Sequence, residues 1–167
     1  MKKIIEGVGV DPGLENIVTG AVESARGNLE DHGKLLPVAI VGNSKTKSLN
    51  MVGLAFSDQK EKEMNIFMLR KYIEDTGADC VITILETYYL ASTDADGYDG
   101  GPVREHPKAK EGVFIALENK IGTWSGMAEI IIDQNGRKTF GEVVLRDGGT
   151  FSGLFANLIP GGKTLLN

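Results

Sequence analysis

The residues best equipped for chemistry in this sequence are crowded into Thr93-Asp-Ala-Asp-Gly-Tyr-Asp-Gly-Gly-Pro-Val-Arg-Glu-His-Pro107, just after the apolar run Cys80 to Leu90. The segment holds Asp94, Asp96, Asp99, Arg104, Glu105 and His106, one of only two histidines in the chain. Three aspartates among glycines could offer a hard cation several oxygen ligands on a backbone free to turn. The spacing does not fit an EF-hand, which needs glycine sixth; counted from Asp94, Gly97 is fourth and Asp99 sixth. Solvated turn chemistry is the simpler reading, and no metal or other cofactor is expected.

Acid/base work is the other chemistry this inventory suits. If the run from Cys80 alternates as a strand, Ile82, Ile84, Glu86 and Tyr88 share one face, and a carboxylate closes an apolar row. Such a group must be paired, solvated or shifted in pKa. Glu86 and His106 are therefore the candidate catalytic pair, with Arg104, Glu105 and Tyr88 as candidate ligand-binding residues. A structural ion pair from Glu86 to Arg104 or His106 is the blander alternative and is preferred. Glu105-His106-Pro107 resembles the His-Pro element of metal-dependent isopeptidases, a family that sets two histidines close together around zinc. Here the second histidine, His32, is remote, so the ligand set is incomplete.

Other reactive-looking motifs fail on context. Ser125 lacks the glycine two residues before it that a nucleophile elbow requires. Gly7-Val-Gly-Val-Asp11 lacks a third glycine and a preceding strand, and Gly161-Gly-Lys-Thr164 lacks its first glycine and a following helix. Cys80, the single cysteine, opens an apolar run and reads as a small buried hydrophobe. Trp124 reads as core.

Several elements must position these groups. Asp11-Pro12 is a helix start, and Leu14, Ile17, Val18, Ala21, Val22, Ala25 and Leu29 recur at helical spacing up to a stop at Gly33. His32 then sits at the helix end, where a cation is favoured. Leu35 to Val41 and Asn50 to Phe56 predict a hairpin with a long tip, Pro37 lying near a strand start. Ser57 or Asp58 caps a second helix whose Met64, Phe67, Met68, Lys71 and Tyr72 line up by turns, the Met and Phe expected in the core, before Gly77 ends it. Beyond it, Cys80 to Tyr89, Gly112 to Glu118, Gly126 to Ile132 and Arg137 to Leu145 read as a meander, with Asn135-Gly136 as its strongest turn signal.

That order predicts an α+β domain spanning 1–167: a single, largely antiparallel sheet with two main helices packed on it, in helix, hairpin, helix, meander sequence. It is similar to profilin-like and roadblock-type scaffolds in topology, which assigns no function. The Gly-rich segment 148–167 is a candidate partner contact. With 41% hydrophobic and 25% charged residues the chain suits one globular core. A net charge of −5 and no basic stripe argue against nucleic acid, and no apolar run is long enough for a membrane helix. The lone cysteine and the absence of a signal-peptide core point to the cytoplasm.

Glu86-x-Tyr88, an acidic loop, Arg104-x-His106-Pro107 and Gly122-x-Trp124 together resemble a set of small uncharacterised bacterial and phage proteins over residues 80–145. That resemblance implies a recurring architecture and no particular reaction. The expected function is binding or self-association as a homo-oligomer, with a homodimer covering open sheet edges. The alternative is a hydrolase-like enzyme with its acid/base or metal site at Glu86, Arg104 and His106.

Overall fold

The computed structural model describes residues 4–6, 10–91, 94, 98–147 and 158–159. Within them the chain is α+β, with a mixed eight-stranded sheet and two helices. A short strand β1 (Ile5–Glu6) precedes helix α1 (Pro12–His32), strands β2 (Val38–Asn43) and β3 (Ser48–Gly53) form a hairpin, and helix α2 (Gln59–Thr76) follows. Five strands complete the chain: β4 (Cys80–Tyr89), β5 (Lys110–Asn119), β6 (Thr123–Ile132), β7 (Lys138–Phe140) and β8 (Leu145–Asp147). The sheet order is β1-β8-β6-β5-β4-β2-β3, with β7 also paired to β6.

The expectation of an antiparallel sheet holds for every pair but one. β1 runs parallel to β8, with Ile5 opposite Leu145 and the Leu145 N–H donating to the Ile4 carbonyl at 2.7 Å. Two apolar residues ahead of Gly7 gave no period from which a strand could be read. Because β3 and β4 are both antiparallel to β2, they run parallel to each other, and α2 is the crossover between them.

Alternation along the central strands sorts the side chains onto two faces. Ile40, Ile82, Ile84, Val113, Ile115 and Leu117 meet Val18, Val22, Ala25 and Leu29 of α1. On the opposite face Ala39, Val41 and Val81 meet Ile66, Leu69 and Ile73 of α2, together with Leu158 and Ile159. Full burial of each such Ile or Leu contributes roughly 1.5–3 kcal/mol. The α1 stripe is the expected one, between Pro12 at the first turn and a left-handed Gly33 (φ 71°) whose N–H donates to the Leu29 carbonyl. The α2 caps also hold: the Asp58 carboxylate accepts from Glu61 N–H at 2.7 Å, and Gly77 (φ 64°) ends the helix.

The α2 face does not. Met64, Phe67 and Met68 lie on the outside, Phe67 with 64% of its surface exposed. Ile66, Leu69 and Ile73 repeat at the same spacing on the other side and take the core instead. Two apolar stripes of equal period left the choice to the sheet, which accepts the branched aliphatic side.

The expected strand from Arg137 to Leu145 is broken in two, and its register against β6 slips by one residue between β7 and β8. A slip of one turns side chains to the other face, so the chain bulges through 141–144. Arg26 of α1 fastens the break, donating to the carbonyls of Phe140 and Gly141 at 2.9 Å each while its guanidinium stacks 4.7 Å from the Phe140 ring centre. The preceding hairpin turn forms where Asn135-Gly136 signals it. Asp133 N–H donates to the Arg137 carbonyl, the Asp133 carboxylate accepts from Asn135 and Arg137 N–H, and only Gly136 has positive φ (77°). That is a three-residue turn with glycine in the left-handed position.

Trp124 is core, with 1% of its surface exposed, and among the described residues its indole N–H has no acceptor. Trp124→Phe removes that orphaned donor along with some packing, so its cost is expected below about 2 kcal/mol, whereas Trp124→Ala should cost about 3–5 kcal/mol. Urea unfolding of both variants checks the ordering.

Candidate functional site

The described residues of the acidic loop, Asp94 and 98–101, make mainly local contacts. Asp94 N–H donates to the Ala91 carbonyl, and the Asp94 carboxylate lies 3.5 Å from Lys108 Nζ. Asp99 accepts from Gly101 N–H at 2.9 Å, beside a left-handed Gly100 (φ 85°). Asp96, Gly97 and Thr93 lie outside the described residues, as do Gly7 and most of 148–167. Among the described residues no three His, Cys, Asp or Glu side chains gather as a metal site.

The loop exits through a single 3-10 turn, Val103–Glu105, which Pro102 opens and His106 closes. Arg104 and Glu105 are exposed on it. His106 Nδ1 accepts the Lys108 N–H at 3.1 Å, and its ring meets Tyr98 edge-on at 6.3 Å between centres. Glu86 is occupied elsewhere: its carboxylate accepts the backbone N–H of Leu35, fastening the chain that leaves α1 to the middle of the sheet. Tyr88 donates across to Glu111 at 3.3 Å, and Glu111 in turn faces Lys138 at 3.6 Å. No hydrogen bond or ion pair among the described residues joins Glu86 to Arg104 or His106.

Cys80 is half-buried at the start of β4. Burial first, and the neighbouring Asp79 carboxylate second, push its thiol above the ordinary range. A thiol raised in this way is a poor nucleophile at neutral pH.

Two further features have binding character. The first is β3, the outer strand of the sheet. The Leu54 N–H donates inward to the Pro37 carbonyl at 2.8 Å. Backbone groups on a strand alternate in direction, so those of Leu49, Met51 and Gly53 point away from β2. Met51 is 72% exposed and Leu49 48%. The second is a cavity of about 810 Å³ between α1 and the β2–β3 hairpin, walled by Ile17, Ala21, Ala25, Ile40, Met51 and Ile84. Neither was read from the sequence. The available signals were an uncharged run from Leu49 to Phe56 and the small residues Gly20, Ala21, Ser24 and Ala25 on one flank of α1.

Glu118 was also missed. It is 3% exposed, on the α2 face of β5, and its two oxygens accept the N–H groups of Leu158 and Ile159 at 2.9 and 3.0 Å. No helix among the described residues is long and apolar enough to cross a membrane. No protein-family model, no curated protein and no solved structure matches this chain.

Proposed function

We propose that this chain is a self-associating module in which the β3 edge pairs with β3 of a second copy. The observation that carries the reading is that edge. Folded proteins guard an outer strand with charge, proline, a bulge or brevity. β3 has six residues, Ser48-Leu-Asn-Met-Val-Gly53, with neither charge nor proline, and its alternate residues expose Leu49 and Met51. The opposite edge strand, β1, is only two residues long.

Hydrogen-bond parity fixes one attractive register. The outward backbone groups belong to Leu49, Met51 and Gly53, which are symmetric about Met51, so a two-fold axis there pairs Met51 with itself and Leu49 with Gly53 of the other copy. Glycine leaves space beside leucine. Pairing of this isologous kind closes at two subunits and covers both edges. The retained Cys80 thiol suits a reducing cytoplasm as the place where it operates.

Light scattering on eluting protein is expected to give twice the chain mass, and Met51→Lys to give the chain mass with an unchanged circular dichroism spectrum. Phe67→Lys, on the exposed outer face of α2, should leave the mass doubled. A wild-type monomer at every concentration sinks the proposal, and so does a doubled mass lost only in the Phe67 variant.

A further inference from the structure

We propose that the cavity beneath α1 binds a free fatty acid, its acyl chain along the helix and its carboxylate at the end where α1 stops. The cavity's volume, about 810 Å³, lies inside the range of small-molecule sites, roughly 300–1,000 Å³. Its walls are apolar over most of their length. Ile17, Ala21 and Ala25 of α1 form one side, and Val38, Ile40 and Met51 of the hairpin form the other. Small residues on the helix, Gly20, Ala21 and Ser24, line the trough and leave its space unfilled.

Charge is confined to one end. Among the described residues only two ionisable side chains line the cavity, His32 and Lys34, and no carboxylate does, although that of Glu86 accepts the N–H of cavity-lining Leu35. Both flank the Gly33 cap. Neither makes an ion pair among the described residues. The carbonyl end of α1 opposes an anion there with about half a charge, which the full charge on Lys34 outweighs. An apolar trough with a cationic mouth and no acid selects a ligand that is apolar along its length and anionic at one end. Exposed Ile17, Leu36, Leu49 and Met51 would lose water to the chain.

The test uses dodecanoate, dodecanol and butyrate, read by displacement of a fluorescent fatty acid and by thermal shift. Dodecanoate is expected to displace the probe and raise the melting temperature, dodecanol to bind at least about tenfold more weakly, and butyrate not to bind. Two variants localise the site. A β-carbon at Gly20 meets nothing within 4 Å, so Gly20→Leu has room to leave the helix toward the trough, and leucine favours a helix over glycine. Gly20→Leu should therefore keep or raise the melting temperature of the free protein while lowering dodecanoate affinity at least about tenfold. Lys34→Glu should lower dodecanoate affinity several-fold and leave dodecanol unchanged. The proposal is overturned if dodecanoate does not bind, if dodecanol binds equally well, if either variant binds dodecanoate as the wild type does, or if the protein binds only fatty-acid-loaded vesicles.

Discussion

Glu118→Ala is expected to cost about 3 kcal/mol or more, because it strands two buried backbone donors at once, each worth about 1–3 kcal/mol when left without an acceptor. The carboxylate is 3% exposed, and its oxygens take the Leu158 and Ile159 N–H groups. Those two residues complete the core between α2 and the sheet, packing with Ile66, Leu69, Ile73 and Val81. Loss of the acceptor therefore removes both a hydrogen-bonded anchor and the apolar surface that it anchors. Glu118→Gln keeps one acceptor oxygen and turns an NH₂ group toward the second donor, so its loss should be intermediate. Urea unfolding gives the size, and hydrogen exchange at the Leu158 and Ile159 amides gives the location. Those amides should lose protection in the alanine variant well before the β4–β5 core does. Two near-neutral variants with unchanged exchange would mean that the anchor carries no weight.

The second large effect is expected at Gly126. A β-carbon there would stand 2.5 Å from the Val144 carbonyl oxygen and 3.2 Å from its carbon. Both are backbone atoms of the bulge between β7 and β8, where the register has slipped, so no side chain can swing aside. Gly126→Ala must push the bulge outward. The shift loads the β1–β8 pairing and the Arg26 hydrogen bonds to Phe140 and Gly141. Overpacking of this kind costs about 1–3 kcal/mol, and the valine variant should exceed the alanine. Gly20→Ala is the control, since its β-carbon meets nothing and alanine favours the helix. The expectation fails if Gly126→Ala unfolds at the wild-type urea midpoint.

Much of the frame was legible because it rests on local chemistry. Proline at a helix start, a left-handed glycine at each helix end and the strict alternation of β4 are properties of a few adjacent residues, and they led to α1, α2 and β4 directly. The tip of the β2–β3 hairpin was shorter than expected because Asn43 folds it locally, accepting from Lys45 and Thr46 N–H. The candidate site was less legible. Glu86 was correctly seen as a carboxylate at the end of an apolar face, but the partner that it takes is a backbone N–H, 51 residues away in sequence. No side-chain inventory points to a backbone donor. The grouping of Arg104 and His106 with Glu86 came from nearness in sequence, while the turn that carries them satisfies its groups within itself.

The sequence by itself determined the elements: which stretches coil, which extend, where caps and turns stop them, and that the reactive loop would be held by aspartate turns. Those choices are made by backbone dihedral preference and by hydrogen bonds between neighbours. Only the tertiary structure decided which of two apolar stripes α2 buries, that β1 would lie parallel to β8, and that the return strand would slip at Gly126. Among the described residues it also left β3 uncovered and opened the trough under α1. Those outcomes depend on packing between segments far apart in the chain, where the competing arrangements share the same local pattern and differ only in what they meet.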